Sequence, residues 1–372
     1  MPAAFAGLIA MAAAIGVGRF VYTPILPPMI EALHLSKSEA GLIASANFLG
    51  YLVGALIAAM PSLAGSRRSR LLAALATSAF TTAAMGLTTT LTAFVVLRFI
   101  AGIASAFGLI LSTSIVLERL ATAGRGGLSA LHFAGVGVGI AVSAALVAEL
   151  LRLGLTWRML WLASGGLTVA ALLAAAWLLP DASAAVSVRS GSAGSAADAG
   201  LSRLIVAYGL FGFGYVITAT FLVAIVRGTP AIQTLEPVTW IIFGAAAVPS
   251  VALWTFFAGR FGIAATFAVA SVVEAAGVLA SVAWQSTPGV FLAAVLVGGT
   301  FMGLTALGLS GARDRAEGDP HRVLALMTVG FGAGQIVGPL FAGIVVDLTG
   351  SFVAPSIAAA LALLVAAILV VI

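Results

Sequence analysis

Cysteine is absent from the 372 residues and histidine occurs only three times, so disulfides and thiolate chemistry are excluded and metal ligands are few. Charge is almost as scarce: Asp, Glu, Lys and Arg make up 8% of the chain, against about 25% in ordinary soluble domains. There is no Walker-type phosphate loop, no Ser/His/Asp set and no His/carboxylate spacing suited to a metal. ATP hydrolysis, a cofactor and a metal centre are therefore not expected, and the chain does not read as an enzyme. The start, Met-Pro-Ala-Ala-Phe, lacks the basic region of a signal peptide and runs into an apolar stretch too long for one, so a retained first helix is expected.

What is abundant is apolar surface, 62% of all residues, which predicts an all-α polytopic membrane protein. The net charge of +5 comes from scattered arginines and not from a basic face, so nucleic acid is not an expected partner; the lipid bilayer is. A spanning helix needs about 20 apolar residues. Breaks at polar and turn residues give twelve spans, near 3–33, 39–63, 70–90, 92–120, 127–153, 156–180, 201–228, 236–258, 262–285, 288–316, 321–349 and 351–372. Span 2 opens on Ser36-Lys-Ser-Glu39, a capping box.

Residues 181–200 are rich in Ala, Ser and Gly and too polar to cross a bilayer, which divides the chain into an N-terminal six-helix bundle (1–180), a linker and a C-terminal six-helix bundle (201–372). The halves match at offsets of 196 to 198 positions. Gly16-Val-Gly-Arg-Phe meets Gly212-Phe-Gly-Tyr-Val, His132-Phe133 meets Gly330-Phe331, and Glu149-Leu150 meets Asp347-Leu348. Internal duplication of this kind marks transporter folds with a site at the membrane midplane. Arginine prefers cytoplasmic loops, and the connections holding Arg67, Arg68, Arg70, Arg119, Arg125 and Arg313 then predict that both termini are cytoplasmic.

One stretch defies the apolar pattern. Gly16-Val-Gly-Arg-Phe-Val-Tyr-Thr-Pro24 puts a guanidinium inside span 1, at a cost of at least roughly 2.5–3.5 kcal/mol unless it finds a partner or a wet cavity. Arg19 and Tyr22 fall on one helical face, and Pro24 weakens the hydrogen-bond ladder beside them.

Several strings resemble the YbfB/YjiJ group of the major facilitator superfamily, bacterial permeases of largely unassigned substrate. They are the Gly16–Pro24 stretch, Ala44-Ser-Ala-Asn-Phe-Leu-Gly-Tyr51, Leu131-His-Phe-Ala-Gly-Val-Gly-Val-Gly139, Tyr208-Gly-Leu-Phe-Gly-Phe-Gly-Tyr215, Gly299-Thr-Phe-Met-Gly303 and Gly334-Gln-Ile-Val-Gly-Pro339. The resemblance implies a permease of the bacterial inner membrane in which spans 1, 4, 7 and 10 line a central cavity. It also marks departures: Gly65-Ser-Arg-Arg-Ser-Arg70 keeps the basic residues of the superfamily's loop after span 2 but not its Asp.

The candidate substrate-binding residues are Arg19, Tyr22, Asn47, Tyr51, Arg98, Tyr208, Tyr215 and Gln335. Arg19 reads either as the receptor for an anionic group or as a cation held by helix-end carbonyls or a carboxylate elsewhere. Arg98 matches the span-4 arginine of many superfamily antiporters, and reads equally as a snorkelling anchor. The aromatic line through Tyr208 and Tyr215 serves packing or binding.

Proton coupling has three candidates, His132, Arg98 and Glu274. His132 could titrate near neutral pH or simply join two helices. Glu274 stands alone among apolar neighbours, where a carboxyl keeps its proton unless a cation is near, and the superfamily places span 9 on the periphery. Gly16, Gly18, Pro24, Arg67, Arg68, Arg70, Gly334, Gly338 and Pro339 are candidates for gating or helix packing, and Glu149 and Asp347 for gate or surface ion pairs. The expected function is secondary transport of a small organic solute, favoured as anionic and proton-coupled, by alternating access in a monomer. Efflux of amphipathic compounds is the alternative within transport, and a transport-inactive receptor or scaffold the alternative outside it.

Overall fold

The computed structural model describes residues 2–58, 60, 66–179, 199–315 and 320–372. Its helices are α1 (Pro2–Met11), α2 (Tyr22–Leu33), α3 (Lys37–Ala58), α4 (Arg67–Met85), α5 (Leu91–Thr122), α6 (Ser129–Arg152) and α7 (Trp157–Leu178) in the first half. The second half holds α8 (Ala199–Arg227), α9 (Glu236–Ala247), α10 (Ser250–Phe261), α11 (Ile263–Ala283), α12 (Thr287–Asp314), α13 (Pro320–Thr349) and α14 (Val353–Val371). Ten stretches of the described residues are long and apolar enough to cross a membrane, and α9 with α10 makes an eleventh. Helix α4 takes the remaining place in the order; three arginines in its first turn dilute its hydropathy. Most of the linker expected at 181–200 lies outside the described residues, and α8 begins at Ala199.

Two passes are broken. In the first, α1 runs into a π-helical turn at Ala12–Val17, where Gly18 N–H reaches back to Ala13 O at 2.9 Å, and regular winding resumes only at Tyr22. Pro24 has no N–H to give, and Thr23 N–H turns to Phe20 O at 3.2 Å instead of to Arg19 O. The break in the eighth pass has no counterpart in the sequence reading: α9 and α10 meet at 41°, with Pro249 at the junction. There too the missing N–H interrupts the ladder.

The halves meet by exchange. Helix α3, the second pass, packs on α13, the eleventh; α6, the fifth, packs on α9, part of the eighth. Each half thus offers its second and fifth helices to the other's fifth and second, as a two-fold axis requires. The first and seventh passes meet through α2 and α8, joining repeat-equivalent residues: Thr23 Oγ1 donates to Ala219 O at 2.7 Å, and Arg227 pairs with Glu31, each 196 positions apart.

These ties share one end of the molecule. Asp347, on α13, accepts from the backbone N–H groups of Lys37 and Ser38 at 2.9 and 2.8 Å, a carboxylate on the N-terminus of α3. Ser45 Oγ donates to Ile336 O at 2.7 Å, and Arg227 also bonds Glu236. The bonds that Arg19, Thr23, Glu31, Ser45 and Asp347 make between halves lie at the level of Arg19 or toward this Lys37–Asp347 end. Glu149, the repeat equivalent of Asp347, instead pairs with Arg152 on its own exposed helix face.

At the opposite end, the arginines expected in a loop stand in the first turn of α4. Arg67 pairs with Glu118 at 2.7 Å, while Arg68 donates to the carbonyls of Ala176 and Leu179, which the end of α7 leaves without partners. Arg70 lies in the same turn, its Nε buried without a partner.

Candidate functional site

The broken first pass leaves backbone carbonyls in the membrane interior that something must satisfy. Arg98, on α5, does so: Nη1 donates to Gly18 O at 2.9 Å and Nη2 to Arg19 O at 2.8 Å. Asn47, on α3, donates to Arg98 O at 3.0 Å, fixing the helix that carries the arginine. Arg98 is 2% exposed, so it does not snorkel to an interface; its charge is spent on the break. Tyr22 stacks near this second guanidinium, 5.3 Å from ring centre to Arg98 Cζ, and donates its hydroxyl to Ala40 O at 2.8 Å. Arg19 and Tyr22 take different hydrogen-bond partners, Gln335 and Ala40 O, yet both line one small cavity, although residues 18–21 are not wound as an α-helix.

Arg19 is held differently. Its guanidinium lies over the rings of Phe48 and Tyr51, 4.4 and 4.6 Å from their centroids, an arrangement worth about 2 kcal/mol per ring when desolvated. Nη2 donates to Gln335 Oε1 at 3.1 Å, and Gln335 Nε2 in turn meets the Tyr215 hydroxyl. The chain Arg19–Gln335–Tyr215 crosses from one half to the other, and all three side chains are buried. Arg19 Nε has no partner, and among the described residues no carboxylate lies at ion-pair distance from this cation. A cavity of about 20 Å³ opens beside it, lined by Arg19, Thr23, Phe48, Arg98 and Thr220 among others.

Behind Tyr215 stands a column of aromatic rings. Tyr215 stacks on Phe331 (5.9 Å, 7°) and on Phe301 (5.7 Å, 13°), and Tyr208 on Phe331 (4.7 Å, 22°). Tyr208 donates to Thr305 O at 3.1 Å. Phe48, Phe301 and Phe331 were not singled out from the sequence; Phe48 and Tyr51, three apart on α3, carry the signal that could have found the first.

The remaining candidates serve packing or stand apart. A Cβ on Gly16 would lie 2.6 Å from Gly139 Cα, and one on Gly338 2.6 Å from Val216 Cγ1, so these glycines let α6 and α8 approach. Gly334 packs against Gly209 and Phe213 of α8, and Pro339 against Gly41 of α3. His132 shares a 3.0 Å hydrogen bond with Thr113 and faces the backbone at Gly7, far along α1 from Arg19. Glu274 is fully buried although α11 packs on helices of its own half, α8, α10, α12 and α14.

Residues 11–371 match the family description "Uncharacterised MFS-type transporter YbfB". The chain belongs to that family. It is a multi-span secondary transporter of the major facilitator superfamily. Among solved structures, a point mutant of the nucleoside transporter NupG superposes with a TM-score of 0.76 at 16% identity, covering 99% of both chains. NupG itself gives 0.71 at 16% identity over 100% of this chain and 98% of that one. The human organic anion transporter MFSD10 gives 0.69 at 16% identity over 99% of each. At such identity the likeness is one of fold. Compared by sequence with curated proteins, the chain matches none.

Proposed function

We propose that this member of the YbfB family moves a small organic anion together with protons across a bacterial inner membrane, as a monomer working by alternating access, and that Arg19 receives the anionic group. The observation that carries this reading is a buried cation with no counter-ion among the described residues, held by one bond to the Gln335 amide where Arg98 is held by two backbone carbonyls. The organic anion transporter MFSD10 shares the fold and lends the reading no more than compatibility.

The geometry supplies a coupling. A carboxylate approaches arginine side-on through Nε and Nη2, two parallel bonds. Nε is free and Nη2 holds Gln335. An anion that takes the Nη2 N–H now given to Gln335 displaces the amide and cuts the Arg19–Gln335–Tyr215 tie between halves. On the reading that arginine-rich connections face the cytoplasm, the Lys37–Asp347 end faces outward and its ties hold the outer side closed.

A thermal-shift comparison of carboxylates and amines on purified protein tests the reading, since a ligand stabilises the state it binds. Carboxylates are expected to raise the melting temperature of the wild type and not of Arg19→Gln. Equal carboxylate stabilisation of both proteins would refute a role for Arg19. The aromatic column favours one second reading, efflux of amphipathic compounds, in which cationic amphiphiles stabilise both proteins alike.

A further inference from the structure

Glu274 is the only charged residue on α11 and sits at 0% exposure. Neither carboxyl oxygen has a hydrogen-bond partner. The Thr300 hydroxyl lies alongside, but it is directed to Leu296 O at 2.6 Å and offers the acid no proton. Among the described residues, no element packed on α11 supplies a cation at this level. Helix α14 has no charged residue, α10 has only Arg260 in its last turn, and α12 has only Arg313 and Asp314 at its end. The charged residues of α8, Arg203 and Arg227, lie near its ends, leaving Tyr215 as the titratable group of α8 that interacts with Glu274.

An ionised carboxylate without donor or counter-ion in the membrane interior is far more costly than a neutral carboxylic acid. Packing alone does not call for an acid here, where an apolar residue of similar volume meets no such cost.

We propose that Glu274 is a proton-binding site in the second half of the transporter, and that its charge state is sensed at Arg19 through Tyr215 and Gln335. Tyr215 is the shared element: its ring stacks on Phe301, next in the chain to the Thr300 that lies beside Glu274, and it bonds Gln335, which bonds Arg19. Release of the proton from the acid to water leaves a carboxylate, a negative charge added to the interior that already holds the Arg19 guanidinium. An anion on Arg19 and a carboxylate at Glu274 then disfavour each other, so anion and proton favour each other's binding. This coupling rests on the anion reading of Arg19; the proton site does not.

Infrared spectroscopy of purified protein with ¹³C-labelled glutamate tests both parts. A protonated carboxyl C=O band sensitive to the label is expected to persist into alkaline pH and to be lost in Glu274→Gln. Absence of such a band from the wild type, or its survival in Glu274→Gln, overturns the site. The pH at which the band disappears is expected to move by about half a unit or more in Arg19→Gln, which removes a charge, and in Tyr215→Phe, which removes the hydroxyl that joins the chain to Gln335, since both alter the cost of ionising the acid. An unmoved midpoint in both variants overturns the coupling. Because no solute is added, these outcomes are independent of the carboxylate screen; a failed screen with the band present removes the anion and leaves the proton site.

Discussion

Two arginines in the same membrane interior have opposite circumstances. Arg98 commits both Nη groups to carbonyls that the first pass exposes, whereas Arg19 gives one Nη bond to a side chain, Gln335; the Nε of each is without a partner. Their substitutions are therefore expected to differ in kind. Arg98→Gln loses two charge-assisted bonds and is expected to cost about 1–3 kcal/mol of stability, read as a lower melting temperature in detergent. Arg19→Gln removes a desolvated charge along with its ring contacts, so its melting temperature is expected to stay closer to the wild type. A larger loss in Arg19→Gln than in Arg98→Gln would contradict this division. From the sequence both were only charges in apolar runs, since donor commitments depend on carbonyls brought in from another helix.

At the scale of elements, glycine pairs set how closely helices approach. Gly16 lies on the π-helical turn and its missing side chain is occupied by the backbone of Gly139 on α6. Gly139→Leu is expected to prevent recovery of folded protein by size-exclusion chromatography. Gly166→Leu on α7 is expected to be tolerated, because nothing lies within 4 Å of a Cβ there. Helix positions were largely legible in hydropathy, as was the irregularity at Pro24. The kink between α9 and α10 was not read, although Pro249 sits at its junction, because the apolar run continues through it.

For the whole molecule, the exchange of second and fifth helices follows from the internal repeat, but the asymmetry between the two copies does not. Asp347 ties the halves through the N-terminus of α3, while its repeat equivalent Glu149 serves only a local pair. Opening the Lys37–Asp347 end requires breaking that contact and the Glu31–Arg227 pair. In this naturally cysteine-free chain, a single cysteine at Ala44, which lines the cavity, is expected to label faster from that side in an Asp347→Ala background. A disulfide between Glu31→Cys and Arg227→Cys is expected to abolish the labelling. Labelling unaffected by either change would rule out this end as a gate.

Sequence by itself determined that the chain crosses a membrane many times, that it is duplicated and that a cation is buried in its first pass. Those properties are carried by hydropathy, offset and residue type, which are written along one dimension. Only the tertiary structure decided which arginine remains available, that Gln335 bridges the halves and that Glu274 is fully enclosed. Partners 79 and 316 positions apart in the chain settle the first two, and burial by four neighbouring helices settles the third. Such contacts depend on how helices pack, and an isolated helix holds no record of what will face it.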